Sequence, residues 1–206
     1  MLSVGRYALS TVALLAASPA LANPMLAPTA NYVMDVEVTR DSDHQVRAPM
    51  RYAVVGRKLA ISHNSLVLLC DLDRKEFSIM IPRVRVYSKS EPIKGDATDS
   101  RRWTGVEAAS ADYVATERLL DREVRKYRVQ GKIFENQMPF EGDVWTTAEN
   151  IVVKVDGASM VGKIATPVKV TPVQIQIGNV DPAAVSVPKG FRRASIEEVY
   201  SADDDR

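Results

Sequence analysis

The sequence predicts a mainly β fold, a curved antiparallel sheet forming an incompletely closed half-barrel with few short helices. Three observations carry this expectation. About ten short segments alternate apolar and polar residues at close spacing, the period of strands with one buried and one wet face. Neither a strand-helix-strand alternation nor an internal repeat is visible. After Pro82 and at Thr171-Pro172 the apolar parity changes within a run, and such a change needs a bulge, which bends the sheet.

The chain opens with an export signal. Met1 to Arg6 carry one basic side chain, the next eleven residues, Tyr7 to Ala17, are uncharged and rich in Ala, Leu and Val, and Ser18-Pro19 breaks the segment before Ala20-Leu21-Ala22-Asn23. Small residues at Ala20 and Ala22 place signal-peptidase cleavage between Ala22 and Asn23. An uncharged run of that length is far short of the roughly 20 residues needed to span a bilayer. The only cysteine, Cys70, lies well downstream, so no lipid-modified N-terminus is expected, and the mature chain is read as soluble and periplasmic, with secretion beyond the cell left open. Its organisation is a signal peptide over 1–22, a lead-in over 23–30, a β domain over 31–194 and a C-terminal tail over 195–206.

Strands are then expected in order. Tyr32 to Val38 alternates through Met34 and Val36 against Asp35 and Glu37, and Asp41 to His44 reads as a turn. Met50 to Val55 and Lys58 to Ser62 are strands around Gly56. Leu66 to Cys70 and Glu76 to Ile81 form a hairpin over the polar turn Asp71 to Lys75. Beyond Pro82 a bulge or edge position brings Val84 and Val86 to the apolar side, and Ser88 to Arg102 is a polar loop. Trp103 to Leu120 fits either a strand pair or a short helix. Glu123 to Ile133 is a strand, Asn136 to Gly142 a loop, and Val144 to Val155 a hairpin across Ala148-Glu149-Asn150. Asp156-Gly157 signals a further hairpin turn. Val168 and Val170 sit on one parity and Val173, Ile175 and Ile177 on the other, so a long strand bends at Thr171-Pro172. A short helix opens at Ser195, with Glu197 and Glu198 in its first turn.

Cleavage after Ala22 leaves 184 of the 206 residues, enough for one domain with a sizeable core. Loss of Arg6 lowers the formal charge from +1 to 0, with the charges interspersed, so no basic stripe for nucleic acid is expected. Cys70 sits in an apolar run and reads as a small buried hydrophobe. The two histidines, His44 and His63, fall in or beside turns and lack the spacing of a metalloprotease helix. Asp41, Asp43, Asp71 and Asp73 form two Asp-x-Asp turns without the glycine and distal glutamate of a calcium loop. With no nucleophile elbow, P-loop or dinucleotide fingerprint, no catalytic residue, metal or cofactor is expected.

Three stretches and the chain's late VDPAAVSVPKGF resemble exported bacterial proteins of the lipoprotein-carrier (LolA/LolB-like) superfamily. MRYAVVGRKLAIS, Met50 to Ser62, has the form of an early strand pair with a glycine turn. ERLLDREVRKYRVQ, Glu117 to Gln130, resembles the family's turn into a basic-aromatic strand. VWTTAENIVVKVDG, Val144 to Gly157, is similar to its tryptophan-bearing hairpin, and VDPAAVSVPKGF to its ending, where an Asp-Pro turn precedes a V-P-x-G-aromatic tail. The chain looks closer to the uncharacterised exported members than to the true carrier. The resemblance implies an unclosed sheet with an apolar concave face and a non-catalytic carrier of a lipid or lipoprotein-like hydrophobic ligand. Trp103, Tyr127 and Trp145 are the candidate cavity aromatics, and Arg51 and Arg57 the candidate polar anchors at its mouth. The alternatives are a cell-envelope module docking a protein partner through a strand edge or the Ser88 to Arg102 loop, and an unrecognised hydrolase.

Overall fold

Alternation decides the architecture: twelve segments pair into one sheet, each turning its apolar parity to the same side. The computed structural model describes residues 26–40, 49–89, 105–133, 138–161 and 164–204. The strands are β1 (Tyr32–Arg40), β2 (Met50–Val55), β3 (Lys58–His63), β4 (Leu66–Asp71), β5 (Glu76–Ile81), β6 (Val86–Lys89), β7 (Val106–Leu119), β8 (Arg122–Ile133), β9 (Met138–Thr146), β10 (Val152–Val161), β11 (Ile164–Ile177) and β12 (Arg192–Arg193). One helix, α1 (Ile196–Asp204), follows. The signal peptide, the turn at Asp41 to His44 and Trp103 lie outside the described residues, as does most of the Ser88 to Arg102 stretch, whose first two residues end β6.

The strand order is β12-β6-β5-β4-β3-β2-β1-β11-β10-β9-β8-β7, antiparallel throughout except for β12 beside β6. Its two ends do not pair, so the sheet stays open. Between Lys89 and Val106 the chain passes from one end of this order to the other. Laid flat, the ten strand spacings from β6 to β7 would measure about 48 Å. The intervening chain reaches at most about 58 Å when fully extended. Curvature relieves that demand, and bulges supply it. Register shifts occur between Asp35 and Val36 against β11, between Val152 and Lys154 against β9, and twice in β7, at Ala109 and Val114.

The bend expected in β11 is present: Gln174 pairs with Asp35 and Pro172 with Val36, leaving Val173 as the extra residue and half exposed. Other expectations are corrected. Asp156-Gly157 does not turn; β10 runs through it to Val161. Gly157 lies opposite Gly142, and a Cβ there would stand 2.4 Å from the Glu141 carbonyl oxygen and 2.8 Å from Phe140 Cε2. Cross-strand packing thus overrides the local turn signal. The loop expected over Asn136 to Gly142 is largely β9, with Pro139 lying beyond the β10 ladder, which ends at Phe140. Beyond Pro82 the chain makes one 3₁₀ turn, Pro82–Val84, closed by Arg85 at φ 54°, in place of a bulge. Val84 is consequently exposed, and only Val86 faces the core. The segment that fitted a strand pair or a helix contains one fourteen-residue strand, β7, joined to β8 by Leu120-Asp121 with φ of 47° and 60°, the shape of a hairpin turn.

After β11 the chain crosses the outer side of the sheet. A 3₁₀ turn, Pro182–Val185, is capped by Asp181, whose Oδ1 accepts from Ala183 N at 2.8 Å, and it lies on β2 and β3. There Val185 packs with Ala53, Ala60, Leu69 and Met80. β12 then covers the edge of β6, and Ser195 Oγ accepts from Glu198 N at 3.1 Å to open the expected helix α1. This helix packs on β5 and β6 through Val199, which is fully buried with Ile79, Ile81 and Val86.

Candidate ligand-binding face

Residues directly opposite in paired strands share a face, so the registers assemble the inner face row by row. One row runs Ile175, Met34, Tyr52, Ile61, Leu68, Ile79 across six strands. Beside it lie Ile177, Tyr32, Val54, Leu59, Cys70 and Phe77. In the other half, Val38, Val170, Val155, Val144, Tyr127 and Tyr113 form a third row. All but Ile79 and Tyr113 belong to one apolar cluster, with most members buried, and Tyr113 is exposed near the free end. Cys70 is among the buried residues, as its sequence context predicts. The rings of Tyr113 and Tyr127 meet edge to face at 5.9 Å.

The opposite face is charged over β8 to β10. Asp143 on β9 pairs with Lys126 Nζ at 3.0 Å and with Arg128 Nε at 2.7 Å. A shallow depression of about 410 Å³ there is lined by Arg128, Glu141, Asp143, Asp156 and Met160. Its walls combine these charged side chains with Gly142, Gly157, Ala158 and Ala165, and it opens to solvent.

The predicted site residues separate between these faces. Tyr127 lies in the inner rows and is buried. Trp145 pairs with Lys126 and Lys154, on the parity opposite to Val144, yet it is buried and belongs to the same apolar cluster as Tyr127. The two ammonium groups stand 4.9 and 4.2 Å from its ring centroid, and its Nε1 donates to Glu117 at 2.8 Å. Arg51 pairs with Asp35 at 3.3 Å on the outer face, where Gln174 also donates to Asp35. Arg57 pairs with Asp73 at 2.7 Å in a turn. Asp71 and Asp73 are therefore engaged by cations and amides: Lys58 stands 3.2 Å from Asp71, and Arg74 N donates to it at 3.1 Å. Burial opposes ionisation of Asp71, but that amide, Lys58 and Arg74 together outweigh it and hold the carboxyl below its ordinary value. Tyr32, Tyr52 and Tyr113, the further inner-face aromatics, were not singled out by motif. The period-2 alternation that placed Tyr32 in a strand was the available signal.

The chain is thus a one-sheet β protein, open and mostly antiparallel, with an apolar inner face, an outer face charged over β8 to β10, and a C-terminal segment that packs on both faces of β2 to β6. No family model matches it, and no curated protein does. Among solved structures it is similar to the LolA superfamily protein NE2245 from Nitrosomonas europaea, with 10% sequence identity, a TM-score of 0.37, and coverage of 79% of this chain and 92% of that one. This is the superfamily that the sequence resembles, and a likeness of that degree bears on neither ligand nor site.

Proposed function

We propose that this chain is a non-catalytic periplasmic protein that binds a hydrophobic ligand, a lipid or the lipid tail of a lipoprotein, on the inner face of its open sheet. The continuity of the apolar rows on one side of an unclosed sheet carries the proposal. Burial of an acyl chain contributes about 0.8 kcal/mol per methylene, so a face without any catalytic group can still supply affinity. The inner-row aromatics nearest that ligand are Tyr127 and its neighbour Tyr113. Native mass spectrometry of protein purified from the periplasm without detergent tests this. A lipid mass released on activation is the expected result, and a clean apo mass would overturn it. The same spectrum should give a mature chain beginning at Asn23.

A second reading, docking of a protein partner, is favoured by β7, which among the described residues pairs on one side only and ends the sheet. The bulges at Ala109 and Val114 count against simple strand addition, because they twist an edge away from a new partner. In-cell cross-linking from Val114, which is exposed, would trap one specific protein if β7 docks a partner and none otherwise.

A further inference from the structure

We infer that His63 is the polar anchor of the hydrophobic ligand: it offers a ring N–H to an oxygen acceptor, a carboxylate or an ester carbonyl, at the head of an aliphatic chain lying along the inner face. This inference rests on the function proposed above and names the chemistry of the ligand's head. In the sequence His63 stands beside a turn, and in the fold it ends β3. The registers set it in an inner row of Val36, Met50, His63 and Leu66, next to the row of Met34, Tyr52, Ile61 and Leu68. Both of its direct neighbours are partly buried, Met50 against the main inner cluster and Leu66 against the cluster of Ile79, Ile81 and Val86. A titratable ring thus lies within the apolar face.

The two ring nitrogens differ in what they meet. Asn64, at φ 53° in the short turn to β4, places its side-chain Nδ2 at 3.2 Å from His63 Nε2. An amide nitrogen donates and does not accept, so Nε2 is the acceptor and the ring hydrogen sits on Nδ1. Nδ1 is buried and has no hydrogen-bond partner among the described residues. A buried donor without an acceptor is costly, and an oxygen that reaches it removes that cost, most strongly when the oxygen is charged. Access needs only side chains to move, because Met50, directly opposite, is unbranched and flexible. From His63 the inner positions Ile61 and Leu59 continue along β3, giving about 13 Å of buried apolar strand for the chain behind the head.

The test is a calorimetric titration of the full mature chain with undecanoate, methyl undecanoate and undecylamine, comparing wild type with His63→Leu and His63→Asn, each checked for native circular dichroism. The ammonium of undecylamine donates and cannot accept, so this probe reports the apolar face alone. His63→Leu should weaken undecanoate about tenfold relative to undecylamine, and His63→Asn, whose amide nitrogen stands where Nδ1 stood, should restore it to within about threefold of wild type. An equal loss with methyl undecanoate assigns the acceptor to an ester carbonyl, as in an acyl linkage, and a loss with undecanoate alone assigns it to a free carboxylate. Imidazole nitrogen NMR on the His44→Gln background, which leaves one ring, should show His63 Nδ1 shifting as undecanoate binds, and this decides the matter should His63→Leu fail to fold. If undecanoate binds but the ratio to undecylamine is unchanged in His63→Leu, or the Nδ1 signal stays in place, the anchor is overturned and the carrier stands. If no probe binds wild type, the carrier proposal falls and the anchor with it.

Discussion

At the scale of single residues, Gly157 and Gly142 face each other where β9 and β10 approach closely. The nearest atoms to a new Cβ at Gly157 are the Glu141 carbonyl oxygen and the Gly142 Cα, both backbone, with the Phe140 ring third. Gly157→Ala should therefore destabilise the fold by about 1–3 kcal/mol in urea unfolding, as overpacking does. Phe140→Ala should not rescue it, because removing the ring leaves the carbonyl in place. Rescue would mean that the ring alone sets the requirement for glycine.

Asp71 gives a pH prediction whose sign follows from its lowered folded value. The carboxylate form is favoured in the fold, so its contribution is complete above the unfolded value, about 3.9, and is lost as pH falls through the lower folded one. Wild type should lose more stability between pH 5 and pH 2 than Asp71→Asn does. At neutral pH the substitution should cost no more than about 1 kcal/mol, since the Lys58 and Arg74 partners are largely exposed. Parallel pH profiles for the two proteins would remove the ion pairs from the account.

At the scale of elements, β11 shows what could be read in advance. Its two valines and later isoleucines lie on opposite parities, and a single extra residue reconciles them, so the bend was visible in the letters alone. Deleting Val173 should straighten β11 but keep unfolding cooperative, because Val168, Val170, Ile175 and Ile177 then share one parity and keep their partners. Val173→Thr, at a half-exposed site, should change stability by less than about 0.5 kcal/mol. If the deletion variant loses its cooperative transition, the bulge is required for more than the bend of the strand. The elements that escaped sequence reasoning failed for a common reason. Asp156-Gly157 and the Pro139 region carry strong local turn chemistry, but pairing with neighbouring strands overrides it, and that pairing is non-local. β7 was ambiguous because its two bulges scramble the alternation that identifies a strand. Trp145 was legible as a strand residue of a hairpin but not by face, since the bulge at Val153 sits between it and the apolar parity of β10.

At the scale of the whole molecule, an open sheet differs from a closed one in how stability is distributed. In a barrel every strand has two neighbours, whereas here β7 pairs with β8 alone among the described residues, and β12 supplies just two residues to the other edge. The centre is built from β1, β2, β10 and β11, whose inner residues are almost entirely buried. Backbone amides are released locally wherever few buried contacts hold them. Hydrogen exchange should accordingly be slowest in β1 and β11 and quicken toward both ends, with the outer amides of β7 and those of α1 exchanging earliest. Uniform protection from β6 through β7 would mean that the two ends close on each other, leaving no open side through which a ligand could reach the inner face. A protected centre with labile ends would instead locate access where the apolar surface comes into view, beside Tyr113 at the β7 end.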